Sequence, residues 1–248
     1  MAVAVRLATG VYRFEQHMAL RSFSRAISQA RLEARPTQPG QVKCAPGKHE
    51  LPIGRNRRAF LHVPAKASSG PRPLAVMLHG AGGNAHHGLD ILEPDAEEAG
   101  VIVLAPESRK TSWDIISDAQ YGPDVHFINQ CLEHVFSRCH IDPARIALGG
   151  FSDGASYALS LGLTNGLLFT KILAFSPGFM APLDTQGNPS IFISHGTRDE
   201  VLPIDRCSRT LIPVLRMHGL RVEYREFDGP HTVPPEMKRR AVQILTEA

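Results

Sequence analysis

The chain holds no uninterrupted run of the roughly 20 apolar residues that a membrane-crossing helix needs. No transmembrane segment is therefore expected. An excess of one charge is also missing: 27 lysines and arginines face 24 aspartates and glutamates, a formal net charge of +3 over 248 residues. That balance leaves no electrostatic footprint for a nucleic acid. The one basic cluster, Arg55, Arg57 and Arg58 around Asn56, has no interleaved aromatics and reads as a solvated strand end. Tryptophan occurs once, and cysteine four times, at Cys44, Cys131, Cys139 and Cys207. No C-x-x-C pair or zinc-type spacing appears among them. They read as free thiols in a reducing compartment, with the even count leaving one bridge open, and the expected location is cytoplasmic. Internal repeats and low-complexity blocks are absent as well.

Acidic residues are scarce at the start of the chain. Residues 1–35 carry Arg6, Arg13, Arg21, Arg25, Arg31 and Arg35 against Glu15 and Glu33. This segment reads as a helical extension, with an organellar targeting segment as the alternative. Residues 36–50, with three prolines and two glycines, read as a linker. The expected organisation is an N-terminal extension and linker over 1–45 and one catalytic domain over 46–248.

Beyond the linker, strand-like and helix-like patterns alternate regularly. Apolar runs of strand length occur at 59–63, 73–79, 101–105, 145–149, 171–176, 190–195 and 221–227. Most are continuous rather than alternating, as expected of a parallel sheet covered on both faces. Helical patterns lie between them, over 87–99, 124–138, 153–163, 205–218 and 234–246. Strand and helix in turn predict an α/β fold, a doubly wound and mostly parallel sheet flanked by helices. Only residues 177–189 separate the runs at 171–176 and 190–195, which leaves no room for a large cap domain.

Three residues stand just past strand ends in an order that carries chemistry. Ser152 lies in GGFSDGAS (149–156), between the run RIALG and a helical pattern. That is the strand–turn–helix setting of a nucleophile elbow, where Gly150 and Gly154 remove side chains that would collide across a strained turn. A serine hydroxyl needs a base and the base needs an orienting carboxylate. His231 comes after the last strand run, and Asp199 after the run SIFISH. The order Ser152, Asp199, His231 predicts nucleophilic acyl transfer. Glu200, Asp205 and Asp228 are rival carboxylates: Asp205 suits a helix start, and Asp228 is too close to His231 along the chain to orient its ring. His218, before Gly219, suits a helix C-terminus.

An oxyanion hole is expected from the backbone N–H groups of Ala81, in LHGAGGN (78–84), and of Asp153. His79 is expected to brace that loop. Adjacent His86 and His87 point different ways at a helix start, so no metal is expected, and the chemistry needs no cofactor. Trp113 either walls the substrate cleft or packs its loop. Phe179 and Met180 are candidates to line an acyl pocket or else form a surface turn.

Together LHGAGGN, GGFSDGAS, HGTRDEVLP (195–203) and GPHTVPPEM (229–237) resemble the α/β-hydrolase esterases of the phospholipase/carboxylesterase family, with some similarity to polyhydroxybutyrate depolymerase-like and feruloyl esterase-like enzymes. The resemblance covers residues 50–248. It implies a serine esterase with Ser152 as nucleophile, Asp199 as acid and His231 as base, acting on a small-molecule or lipid ester. A thioesterase or peptidase on the same triad, or a non-catalytic binding protein of the same fold, are the alternatives. Pro230 departs from the pattern, since relatives usually carry Gly before the histidine, and is expected to tune the site.

Overall fold

A strand whose two faces are both apolar must be covered on both sides, and this requirement organises the molecule. A computed structural model describes residues 28–38, 44–54, 56–66 and 70–247. In chain order the elements are β1 (Gly47–Glu50), β2 (Ala59–Val63), β3 (Arg72–Leu78), α1 (Ala85–Asp90), α2 (Glu93–Ala99), β4 (Ile102–Pro106), α3 (Asp114–Ser117), α4 (Pro123–Phe136), β5 (Ile141–Phe151), α5 (Asp153–Thr164), β6 (Lys171–Phe175), β7 (Ser190–Gly196), α6 (Ser208–Met217), β8 (Val222–Phe227) and α7 (Pro235–Thr246). The strands form one sheet in the order β1-β2-β4-β3-β5-β6-β7-β8. β2 runs antiparallel to β1 and β4, and the six strands from β4 to β8 are mutually parallel.

The period of two along β3 shows how the layers form. Leu74, Val76 and Leu78 enter an apolar layer with Ile128, Leu132 and Val135 of α4 and Tyr157 and Leu161 of α5. Ala75 and Met77 enter the opposite layer, with Leu89 of α1, Ala96 of α2 and Ala241 and Leu245 of α7. α6 extends the first side over β6 and β7 through Ile212 and Leu215. Each fully buried Leu, Ile or Val of this kind stabilises the fold by about 1.5–3 kcal/mol. The fold is that of the α/β-hydrolases, a mostly parallel sheet with helices on both faces. No helix or strand interrupts the β6–β7 connection.

The structure departs from the sequence reading in four places. The helix expected over 87–99 is two helices. Pro94 sits in the first turn of α2, where its missing N–H could not continue α1 through Asp90. The helix expected from 205 begins as a 3₁₀ turn at Ile204–Arg206, and α6 starts only at Ser208. The linker read over 36–50 ends in β1, an edge strand too exposed to show an apolar pattern. Finally, Cys44 and Cys139 are joined in a disulfide, which leaves Cys131 and Cys207 as the free thiols among the described residues. The thiol count therefore no longer supports a reducing compartment.

Part of the N-terminal extension is packed. Ala30, Leu32 and Ala34 are buried in the layer of α4 and α5. Asn165 accepts from the Leu32 N–H and donates to the Ala30 carbonyl, at 2.9 and 2.8 Å. Asn129 Oδ1 accepts from the N–H groups of Glu33 and Ala34. The helical extension and its targeting alternative fall mainly on residues 1–27, which lie outside the described residues. Among the described residues, no helix is long and apolar enough to cross a membrane.

Candidate active site

β5 runs directly into α5 through Ser152, whose backbone has φ 58 and ψ −119. For a residue with a Cβ this is strained backbone, and the surroundings hold it there. The Ser152 N–H donates to the Phe175 carbonyl at 2.9 Å. Gly150 and Gly154 are required by contact: a Cβ on Gly150 would lie 2.6 Å from the Gly154 carbonyl group, and one on Gly154 would lie 2.3 Å from the Leu78 oxygen.

Asp199 and His231 are carried to the same edge by the loops after β7 and β8. His231 Nε2 lies 2.9 Å from Ser152 Oγ, and His231 Nδ1 lies 2.6 Å from Asp199 Oδ2. The structure thus brings together the three side chains that the sequence order singled out. Asp199 Oδ1 accepts from the N–H groups of Val201 and Leu202. Burial would raise the Asp199 pKa, but the Leu202 N–H, His231 and His195 outweigh it, and the carboxyl sits below its ordinary value. The two loops meet closely because Gly196 has no side chain; a Cβ there would lie 2.3 Å from the Gly229 oxygen and 2.6 Å from that of Pro230. Pro230 is exposed and leaves His231 within reach of both partners. Phe151 packs against the imidazole with ring centroids 4.6 Å apart.

The rival carboxylates have other partners. Asp228 pairs with Arg198 and Asp205 with Arg209, all at the surface. Glu200 is exposed. His218 Nδ1 donates to the Val214 carbonyl at the end of α6, the helix-end position expected. Among the described residues, no cluster of three or more His, Cys, Asp or Glu side chains is placed to hold a metal ion.

The loop after β3 abuts the serine, since a Cβ on Gly80 would lie 3.3 Å from Ser152 Cβ. His79 is fully buried behind it. Its Nδ1 lies 2.8 Å from the Gly80 carbonyl, and its Nε2 accepts from the Ser108 N–H at 3.0 Å. This pairing defines a neutral ring protonated on Nδ1, and burial pushes its pKa down. The N–H groups of Gly82 and Gly83 are used within the protein, by Thr111 and Gly80. Those of Ala81 and Asp153 meet no acceptor among the described residues.

Trp113 corrects one expectation: it is 0% exposed and cannot wall an open cleft. Its Nε1–H donates to the His79 carbonyl at 2.9 Å, and its ring stacks on Tyr157. It supports the loop of Ala81 from below. Ser112, its neighbour, donates to Asp153 Oδ2 at 2.5 Å.

Phe179 and Met180 are placed by a feature that sequence reading missed. Ser156, Ser160 and Thr164 recur every four residues along α5, and each hydroxyl is buried and bonds back to the carbonyl one turn earlier. The same oxygens accept from the N–H groups of Gly178, Ala181 and Leu183. The β6–β7 connection is thereby laid across the helix beside the Ser152 turn. Phe179 is 37% exposed there, whereas Met180 packs partly into the layer of α5 and α6. The period of four was the available signal. His195 was also missed; it stands four residues before Asp199 and is buried against it, 3.1 Å from Oδ2.

Comparison with known proteins places the chain. It matches the phospholipase/carboxylesterase family over residues 112–246, more than half its length, and belongs to that family. Two curated relatives assigned as esterases are similar to it. NocK of Nocardia uniformis subsp. tsuyamanensis, a putative esterase by name, is 29% identical over 195 residues, covering 74% of this chain and 50% of that protein. A protein of Aspergillus niger named probable feruloyl esterase C is 27% identical over 170 residues, covering 65% and 60%. The chain thus spans only half to three fifths of these relatives' lengths. An S-formylglutathione hydrolase from Staphylococcus aureus shares the fold, with a TM-score of 0.65 at 15% identity over 84% of this chain and 100% of that one.

Proposed function

We propose that the protein is a serine hydrolase that cleaves carboxylic esters through an acyl-enzyme. The observation that carries this reading is the 2.9 Å approach of His231 Nε2 to the hydroxyl of a serine held at positive φ. His231 takes the Ser152 proton as Oγ attacks the ester carbonyl. The N–H groups of Ala81 and Asp153 stabilise the oxyanion, each worth on the order of 3 kcal/mol in the transition state. His231 then protonates the leaving alcohol, and water activated by the same ring releases the acid. Asp199 remains ionised and holds the imidazole with its Nδ1 proton turned inward. Residues 46–248 carry this chemistry, with residues 30–35 as a packed strap.

The substrate is a small-molecule or lipid ester. The short β6–β7 connection, the exposed ring of Phe179 and the exposed Val201 support an open site with apolar borders. Hydrolysis of p-nitrophenyl esters by the purified chain tests the proposal, together with labelling by a fluorophosphonate probe. Turnover and labelling are expected in the wild type and neither in Ser152→Ala. A Ser152→Ala protein with full activity would refute it.

A further inference from the structure

His195 lies near the end of β7, is fully buried, and takes no part in the proposed acyl transfer. Its Nε2 lies 2.8 Å from the Leu202 carbonyl and 3.1 Å from Asp199 Oδ2. Both neighbours are acceptors, so Nε2 carries the ring proton. Nδ1 lies 2.7 Å from Ser208 Oγ. In a neutral ring protonated on Nε2, Nδ1 accepts, and the Ser208 hydroxyl donates to it. Burial favours that neutral form by pushing the pKa of His195 down.

These contacts close a ring around the acid. The His195 N–H is given mainly to the Leu202 carbonyl, and the Leu202 N–H is given to Asp199 Oδ1 at 2.8 Å. The turn over 199–202 is therefore pinned from β7. Asp199 Oδ2 has the positive end of the His195 N–H dipole on one side and His231 Nδ1 on the other, at 2.6 Å.

We infer that His195 is a positioning residue for the acid: it pins the 199–202 turn, shares Asp199 Oδ2 with His231, and so sets the pH at which the base becomes active. The inference rests on the proposed triad of Ser152, Asp199 and His231. Of the other titratable or charged groups, Glu226 on β8 faces His195 and Cys207 ahead of α6 faces Asp199, with Arg206 acting on Cys207. Glu226 is paired with Arg209, and burial raises the Cys207 thiol, which keeps it neutral. With the His195 donor removed, more of the Asp199 charge falls on His231. That favours the protonated imidazole, so the acidic limb of the rate profile moves to higher pH.

The test is p-nitrophenyl acetate hydrolysis from about pH 5 to 9 by the wild type and by His195→Asn, His195→Gln and Ser152→Ala. The Asn amide ends short of the Nε2 position, whereas the Gln amide reaches it. His195→Asn is expected to move the acidic limb of kcat/KM up by about half a pH unit and to lower kcat about tenfold, with KM within about twofold. His195→Gln should return the limb toward the wild-type position. An unmoved limb in a folded His195→Asn protein, or a shift to lower pH, overturns the inference. Should neither variant fold, imidazole nitrogen NMR of the wild type decides: His195 is expected protonated on Nε2 and titrating below the ordinary histidine value, because it is buried. A ring protonated on Nδ1, or one titrating at the ordinary value, overturns it. Activity surviving in Ser152→Ala would instead strike the triad reading itself.

Discussion

Gly150 and Gly154 face each other across the turn that carries Ser152, so close that a Cβ on the first would lie 2.6 Å from the carbonyl group of the second. Both glycines are needed for their lack of a side chain, since neither has positive φ. Alanine at either position collides with backbone, which cannot rotate away. Gly154→Ala, which would also press on Leu78, is expected to destabilise by about 3 kcal/mol or more. Gly82→Ala, in open space at φ 68, should cost only about 1–2 kcal/mol. Urea unfolding of the two variants checks the order.

Trp113 is expected to matter for the loop of Ala81, the proposed oxyanion donor, although it is buried. Trp113→Phe keeps most of the stacking on Tyr157 but leaves the His79 carbonyl without its donor. The expected loss is about 1–3 kcal/mol of stability. A several-fold lower kcat should accompany it, with KM little changed, in steady-state ester hydrolysis.

The hydroxyl ladder on α5 yields a local prediction. In Ser160→Ala the Ala181 N–H loses its acceptor, at a cost of about 1–2 kcal/mol. Hydrogen exchange of residues 178–183 should speed up, while that of α7 on the opposite face stays unchanged.

Stability is expected to fall as the pH drops from about 7.5 to 5.5. Burial lowers the pKa of His79 and His195 in the fold. Below the unfolded value of about 6.5 the unfolded chain therefore binds more protons than the folded one, and acid favours unfolding. Burial raises the carboxyls of Asp114 and Asp124, whose protonation suits the fold and acts in the opposite sense. Comparing the wild type with His195→Gln cancels those carboxyls. The variant should show the flatter dependence of the denaturation midpoint on pH.

Reduction of the Cys44–Cys139 bridge tests the packed strap. The bridge closes 95 residues of chain, and chain entropy gives it about 4–5 kcal/mol as an upper value. Dithiothreitol, or Cys44→Ser, should lower the unfolding temperature by several degrees. The rate of the proposed ester hydrolysis by the folded protein should stay within about twofold, because Cys139 precedes β5 and Ser152 follows its far end.

Much of the fold was legible because burial on both faces leaves continuous apolar runs such as PLAVMLH and SIFISH, and loops at strand ends stand out between them. The β1 strand and the segment at 30–37 left no such mark. One is an exposed edge; the other is held by Asn129 and Asn165, more than 90 residues away in sequence. Trp113 was read both ways because composition cannot tell a cleft wall from a buried prop. Its place was decided by the His79 carbonyl and the Tyr157 ring.

The sequence by itself determined the alternation of strand and helix, and the order Ser152, Asp199, His231 along it, because local apolar period and turn chemistry are written in neighbouring residues. Only the tertiary structure decided which groups touch. The 2.9 and 2.6 Å contacts of His231, the burial of Trp113, the pairing of Cys44 with Cys139 and the position of His195 beside Asp199 all depend on how separate elements pack. The His231 distances follow from the order β5-β6-β7-β8 across the sheet, and the strand order of a sheet is not a local property of the chain.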